Sequence, residues 1–560
     1  MKKIWKRVLA LMLTVMITVP VLSGCGSKEE KPITLTIYTQ LANYSGEMMG
    51  WSAQVMREKF NVIINIVPNT DGIFETRMES GNLGDIVIFG SDGADYQLAV
   101  RSGMLYDWDA EDLLHEHGPY IEEHMVNALE RNRQMEVNDG HLYGFGSNVA
   151  STTEDHDMFI YTWDLRWDLY RELGYPEYRT LDDFVEVLTD MKGICPTDDH
   201  GNETYAVSIW PDWDVNMVMY VKSMASAYYG YDEFYMGLYD SGTGEFYGAM
   251  DENGPYIDCL RFFNKLYQRN LLDPNSMTQT MGEAGEKVRS GGTFFSIFNY
   301  AGYLQYNESH QEEDKMMLSW MPSDATPIVE GLSTLGSNKI WTIGANTEYP
   351  ELCMEIINWF CTPEGTMTYY YGPQGLCWDY DEEGHTYFTE FGHTAYFDQE
   401  TMMIGDYEGT GTYKDGMFQH NNSTWTLMAD NPDSNGERYS YQSWRSEQQS
   451  AVNELEQDWR DRTGATDPQD YMNQRPYQVV PITAYQEASR DDALDMTWSA
   501  VADIIKTYSW RAIYAKTDQE FEEIVATMIE EANNYGYGQC LEWCEEQALI
   551  RRQCEMAILH

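Results

Sequence analysis

The stretch from residue 33 to residue 90 constrains the fold more than any other part of the chain. "ITLTIYT" (33–39) alternates like a half-buried strand, and Met49 to Phe60 has the pattern of a helix. "NVIINIV" (61–67) is a second strand, Gly72 to Gly81 a second helix and "GDIVIFG" (84–90) a third strand. Strand, helix, strand, helix, strand in this order predicts a parallel sheet with crossover helices. Ligands of such sheets gather beyond the carboxyl ends of the strands, so the loops that begin near Gln40 and Phe89 face a cleft.

At 560 residues, more than one domain is expected. "GHLYGFGSNVASTTEDHDMFIYT" (140–162), rich in Gly and Ser between strand-like flanks, reads as a crossing between them. Beyond it, Leu165, Leu169 and Leu173 predict a helix over 163–173. Thr180-Leu181-Asp182-Asp183 caps another helix that runs to Lys192. "YAVSIW" (205–210) and "GGTFFSIFN" (291–299) are strands, while Pro350 and Thr362-Pro363 each begin a helix. Residues 430–475 look irregular. Helices then cover 492–509 and 517–534, the latter opened by the capping box Thr517-Asp518-Gln519-Glu520.

The N-terminus is built differently. Lys2, Lys3, Lys6 and Arg7 precede a mostly apolar run from Val8 to Leu22, which is shorter than a bilayer span, and then Ser23 and Gly24. Residues 1–24 therefore read as a secretory signal peptide. Leu22-Ser23-Gly24-Cys25 resembles a bacterial lipobox, which implies cleavage before Cys25 and thioether lipidation of it, with residues 25–32 as lipidated Cys and tether. Acyl chains contribute about 0.8 kcal/mol per buried methylene, enough in combination to hold a large domain at the extracellular face of the cytoplasmic membrane. A Gram-positive cell surface is the expected setting. The net charge of −55 argues against nucleic acid and anionic bilayers as main partners, since both are polyanions and would be repelled. The other eight cysteines show no CxxC and no zinc spacing, so buried thiols are expected and no cofactor or metal is implied.

In order and spacing, "TLTIYTQ" after the lipobox, "GDIVIFG", "GHLYGF", "DLRWDLYRELGYPEYRTLDDFVEVL", "GGTFFSIFNYAG", "YPELCMEIINWFCTPEG" with "YYYGPQG", and "EFEEIVATMIEEANNYG" make a recognisable series. Together they resemble the extracellular solute-binding lipoproteins of ABC importers, in the family-1 sugar-binding group, Gram-positive oligosaccharide-binding type. The resemblance implies an α/β, two-lobed, periplasmic-binding-protein-like (type II) fold that closes about a hinge on a sugar. It places the N-terminal lobe at 31–148 plus 335–395 and the C-terminal lobe at 150–333 plus 396–560. A monomeric binder that delivers its ligand to a membrane permease is implied, without catalysis. Several long relatives carry a calcium loop where this chain has "CPTDDHGNETYAV". Here Asp198, Asp199, Asn202 and Glu203 are too few for a cation that wants six to eight oxygens, and a polar turn is expected.

Sugars present apolar C–H faces ringed by hydroxyls, so their sites need flat aromatic platforms with planar polar partners. Trp210 and Trp213 in "SIWPDW" follow a strand, with Pro211 and Asp212 marking an exposed loop. Asn299 and Tyr300 end another strand. On the opposite lobe Phe89 and Ser91, and Gln40, Asn43 and Tyr44, occupy matching positions. Trp320, Trp341 and Trp378 are weaker candidates because tryptophans are mostly buried. Asp85 is expected to brace its turn. Few basic residues lie among these candidates, which favours a neutral glycan, although Arg166, Lys222 and Arg289 leave a uronate open. HExxH, GxSxG, P-loop and dinucleotide motifs are absent. A peptide or other solute on the same scaffold, and a surface glycoside hydrolase, remain the alternatives.

Overall fold

A computed structural model describes residues 31–70, 72–310, 313–448 and 453–558. The leader and Cys25 lie outside the described residues. The first lobe is built on a six-stranded sheet in the order Gly46–Glu47, Val62–Pro68, Ile33–Thr39, Ile86–Phe89, Ile340–Ile343, Gly144–Gly146. Ile33–Thr39 runs parallel to both Val62–Pro68 and Ile86–Phe89, with helices Gly50–Phe60 and Ile73–Ser80 as the crossovers. Ile340–Ile343 returns antiparallel beside Ile86–Phe89, so residue 340 sits at the same sheet end as Phe89. Its other neighbour is "GFG". A Cβ on Gly144 or Gly146 would lie 1.9 or 2.0 Å from the carbonyl oxygens of Trp341 and Ser337, so only glycine lets these chains approach.

In the second lobe Tyr161–Arg166 lies between Phe295–Phe298 and Met317–Ser319, antiparallel to both. This corrects the helix expected over 163–173, which begins only at Trp167. Leu165 pairs across the sheet with Phe295 and Leu318 instead of stacking on Leu169, because "FIYTW" is a β-branched and aromatic run that both faces of a central strand can bury. The Thr180 capping box forms as expected, with Asp183 N–H donating to Thr180 Oγ1 at 3.1 Å.

Two large apolar cores correspond to the two lobes. They move one expected boundary: Met403, Tyr413, Trp425, Tyr439 and Trp444 pack with Leu35, Trp341 and Trp359, so the first lobe continues past 395 to about residue 445. Long-range indole bonds fix this arrangement, from Trp51 to the Tyr413 carbonyl at 2.8 Å and from Trp425 to the Cys361 carbonyl at 2.6 Å. The second lobe resumes with Leu455, and helices Glu454–Thr463 and Pro468–Asn473 occupy part of the stretch expected to be irregular. Between the lobes the chain crosses repeatedly. Ala150 N–H donates to the Ser333 carbonyl, Asp157 N–H to that of Glu330, and Ile328–Glu330 pairs in parallel with Gln478–Val480.

Candidate functional site

The aromatic wall belongs to the second lobe. The strand expected over 205–210 is reduced to two isolated bridges, Tyr205 to Thr293 and Val207 to Leu272, with a bend at Ala206 between them, and the chain then enters the "WPDWDVN" loop. Acidic and amide side chains pin that loop from behind. Asp212 accepts the Met281 N–H at 2.9 Å, and Asp214 accepts both the Met219 N–H and the Trp510 indole at 2.7 Å. Asn216 accepts the Trp498 indole at 2.9 Å. Burial pushes the Asp214 carboxyl above its ordinary range, opposed by these donors and by Lys222 and Lys506. What the loop presents is Trp213, 38% exposed, with its ring 6.0 Å from Tyr300. Tyr300 in turn stacks on Phe298 at 4.8 Å.

Trp210 and Asn299 have different roles from those expected. Trp210 is 2% exposed and packs edge-on against Tyr220 and Trp213, so it backs the platform without offering a face. Asn299 is buried, its amide donating to the Phe159 carbonyl and its oxygen accepting the Tyr300 N–H, which sets the Tyr300 backbone. Gln305 adds a bond to the Tyr300 carbonyl and is itself held by Arg289.

On the first lobe Gln40 spans two loops. Its oxygen accepts the Gly90 N–H at 2.8 Å and its nitrogen donates to Asp95 at 2.5 Å. Asn43 is exposed, while Tyr44 is half-buried with its hydroxyl on the Glu47 carbonyl. Ser91 Oγ accepts the Gly93 N–H. Two candidates are corrected. Phe89 and Trp378 are fully buried in the first lobe, Phe89 against Tyr96 and Trp378 with its indole on the Gly372 carbonyl. Both are large rings whose burial is worth more to the core than exposure at a rim. Trp320 is partly buried, packed against Trp167, Tyr170 and Tyr471 of the second lobe. Trp341 is fully buried, whereas Asp85 braces its turn by accepting from Thr36 N–H and the Thr347 hydroxyl.

The loop 417–423, expected in the second lobe, belongs to the first and lies against the end of its first strand. Phe418, 39% exposed, and Asn421 both have left-handed backbones, and Asn421 donates to the Leu41 carbonyl at 2.7 Å. The His420 carbonyl accepts from Thr39 at the end of the first strand. Its buried imidazole is pushed down to about 4 by desolvation.

Side-chain bonds join the two lobes. Gln442 of the first lobe donates to the hydroxyl of Tyr303, three residues beyond Tyr300, and Gln97 donates to the Glu487 carbonyl. Glu330, at a crossing, is exposed. The three basic residues that left a uronate open are already engaged: Arg166 with Asp168, Lys222 with Glu233, and Arg289 with Glu286 and Gln305. A cavity of about 360 Å³ beside the crossing, lined by Tyr120, Asn127, Ser151, Thr334 and Trp425 among others, contains none of the platform residues.

No family model and no curated protein matches the chain. Among solved structures it is similar to the alginate-binding protein AlgQ2 without calcium ion (TM-score 0.58, 14% identity, 93% of this chain and 98% of that one). It is also similar to the ABC-transporter substrate binding protein FusA of S. pneumoniae in complex with kestose (TM-score 0.56, 15% identity, 92% and 98%). A third is the N-glycan transport solute binding protein NgtS from Streptococcus pneumoniae (TM-score 0.54, 13% identity, 93% and 99%). At these identities the likeness is one of fold, the two-lobed type II architecture, and it extends over nearly the whole length of each chain.

Proposed function

We propose that this chain is the solute-binding component of an ABC importer, capturing an extracellular oligosaccharide between its lobes and passing it to a membrane permease without chemical change. The observation that carries the reading is the exposed Trp213 beside Tyr300, held by a loop whose own acids are spent on positioning it. Its setting on a fold shared with alginate-, kestose- and N-glycan-associated proteins supports a glycan as the ligand. Closure is a hinge motion driven by a ligand that touches both lobes at once. A neutral glycan is favoured because the cations once open to a carboxylate ligand are paired internally. The lipobox supports a lipid anchor at Cys25 and a position outside the membrane, in a Gram-positive setting.

Thermal-shift screening of the purified chain against neutral oligosaccharides, uronate oligosaccharides and peptides tests the reading. Stabilisation by a neutral glycan that is recovered intact after prolonged incubation is expected. Stabilisation by peptides alone, or cleavage of the glycan, would replace it.

A further inference from the structure

A side-chain cluster outside the cleft has the donor set of a metal centre. His310, buried at the end of helix Tyr303–Ser309, stacks on Tyr306 at 4.0 Å and directs Nδ1 at the Tyr306 carbonyl, 2.8 Å away. A carbonyl can only accept, so Nδ1 carries the hydrogen, and in the neutral ring Nε2 is a bare lone pair. That lone pair faces Asp199 Oδ2 at 3.2 Å, another acceptor. The two are reconciled only by a second proton or a Lewis acid. One ligand atom each from Asp199, His310 and Glu313 lies within 4.8 Å of the others.

We propose that His310, Asp199 and Glu313 bind a divalent transition-metal ion of the zinc class, with Lys315 holding the ion's place when the metal is absent. Imidazole Nε2 and two carboxylate oxygens, completed by water, make a tetrahedral zinc set, and the Nδ1–H bond to a backbone carbonyl is the outer contact that orients a ligating histidine. Calcium wants six to eight oxygens and is not matched. Lys315 bonds both Asp199 and Glu313, supplying positive charge between the carboxylates. Its flexible stem is partly exposed, so an ion can displace the ammonium into solvent, and the two exposed carboxylates can turn to bonding distances of about 2.0–2.2 Å. The ion would staple the turn at Asp199 to the C-terminal end of the helix Tyr303–Ser309. No local motif joins these ligands, since Asp199 and His310 are 111 residues apart.

Calorimetric titration of zinc chloride into the purified, metal-free chain tests this, alongside Lys315→Met and His310→Gln and with magnesium chloride as the control. Wild type is expected to take up one equivalent of zinc and unfold at a higher temperature in its presence. Lys315→Met, freed of its competitor, should bind at least roughly tenfold tighter, and His310→Gln at least roughly tenfold weaker. Asp199→Asn replaces His310→Gln should the latter not fold. Absence of zinc uptake in both wild type and Lys315→Met overturns the proposal. So does zinc binding that His310→Gln and Asp199→Asn leave unchanged, since ten other histidines could then account for it.

Discussion

Replacing Trp213 by alanine removes the one indole of the "WPDW" pair that a ligand can cover. Trp213 is 38% exposed. An indole side chain carries roughly 250 Å², so about 95 Å² is left for a ligand, and at ~25 cal/mol per Å² its full coverage is worth about 2.4 kcal/mol. That corresponds to roughly fiftyfold in Kd. Partial coverage lowers the figure, while stacking on a sugar face adds to it. Isothermal titration with the stabilising glycan, well below the unfolding temperature, reads the change directly. The loop should keep its place in the variant, because Asp212, Asp214 and Asn216 hold it through bonds that Trp213 does not share. Circular dichroism and a cooperative melt would verify this. A Kd within threefold of wild type in a folded Trp213→Ala protein would refute the argument, for the exposed face of the platform would then lie outside the contact.

Trp210→Ala should behave in the opposite way: with its ring buried, the cost is about 3–5 kcal/mol of second-lobe stability, visible as a lowered unfolding midpoint. Asp164 is fully buried, accepts the Tyr303 N–H at 2.8 Å and has its carboxyl pushed up to about 7 by desolvation. A carboxyl raised on folding favours the native state below the unfolded value of 3.8 and loses that advantage as pH climbs through about 7. Wild type should therefore lose up to ~4 kcal/mol relative to Asp164→Asn between pH 4 and pH 8, and parallel melting profiles would disprove this. Of the eight described cysteines only Cys195 and Cys554 are partly exposed, so a thiol reagent should modify at most these two before denaturant is added and all eight afterwards.

What could be read from the sequence divides along the range of the forces involved. The first three strands and their crossover helices were legible because alternation and helical periodicity are written within a dozen residues, and the Thr180 box because it spans four. At Thr517 only half of the expected box forms: its hydroxyl accepts the Glu520 N–H, while the Glu520 carboxylate turns to the Lys516 N–H. The span 163–173 misled because Leu165, Leu169 and Leu173 imitate a helical stripe where the chain changes from strand to helix at Trp167. Lobe membership of 403–444 had no local signature at all. It depends on Trp51, Trp341 and Trp425 reaching carbonyls 362, 82 and 64 residues away.

The same division runs through the site. Position after a strand brought Trp210, Trp213, Phe89 and Tyr300 forward equally, but whether a ring faces solvent is decided by what stands behind it. Trp213 is presented because "PDWDVN" supplies two carboxylates and an amide that bond to helices and indoles of the second lobe, whereas Phe89 lies within its strand and packs into an apolar cluster with Tyr38, Phe74 and Tyr96. A platform tryptophan in a chain of this kind is therefore better sought by the polar residues that flank it in a loop, each with a backbone or indole donor to satisfy, than by the tryptophan itself.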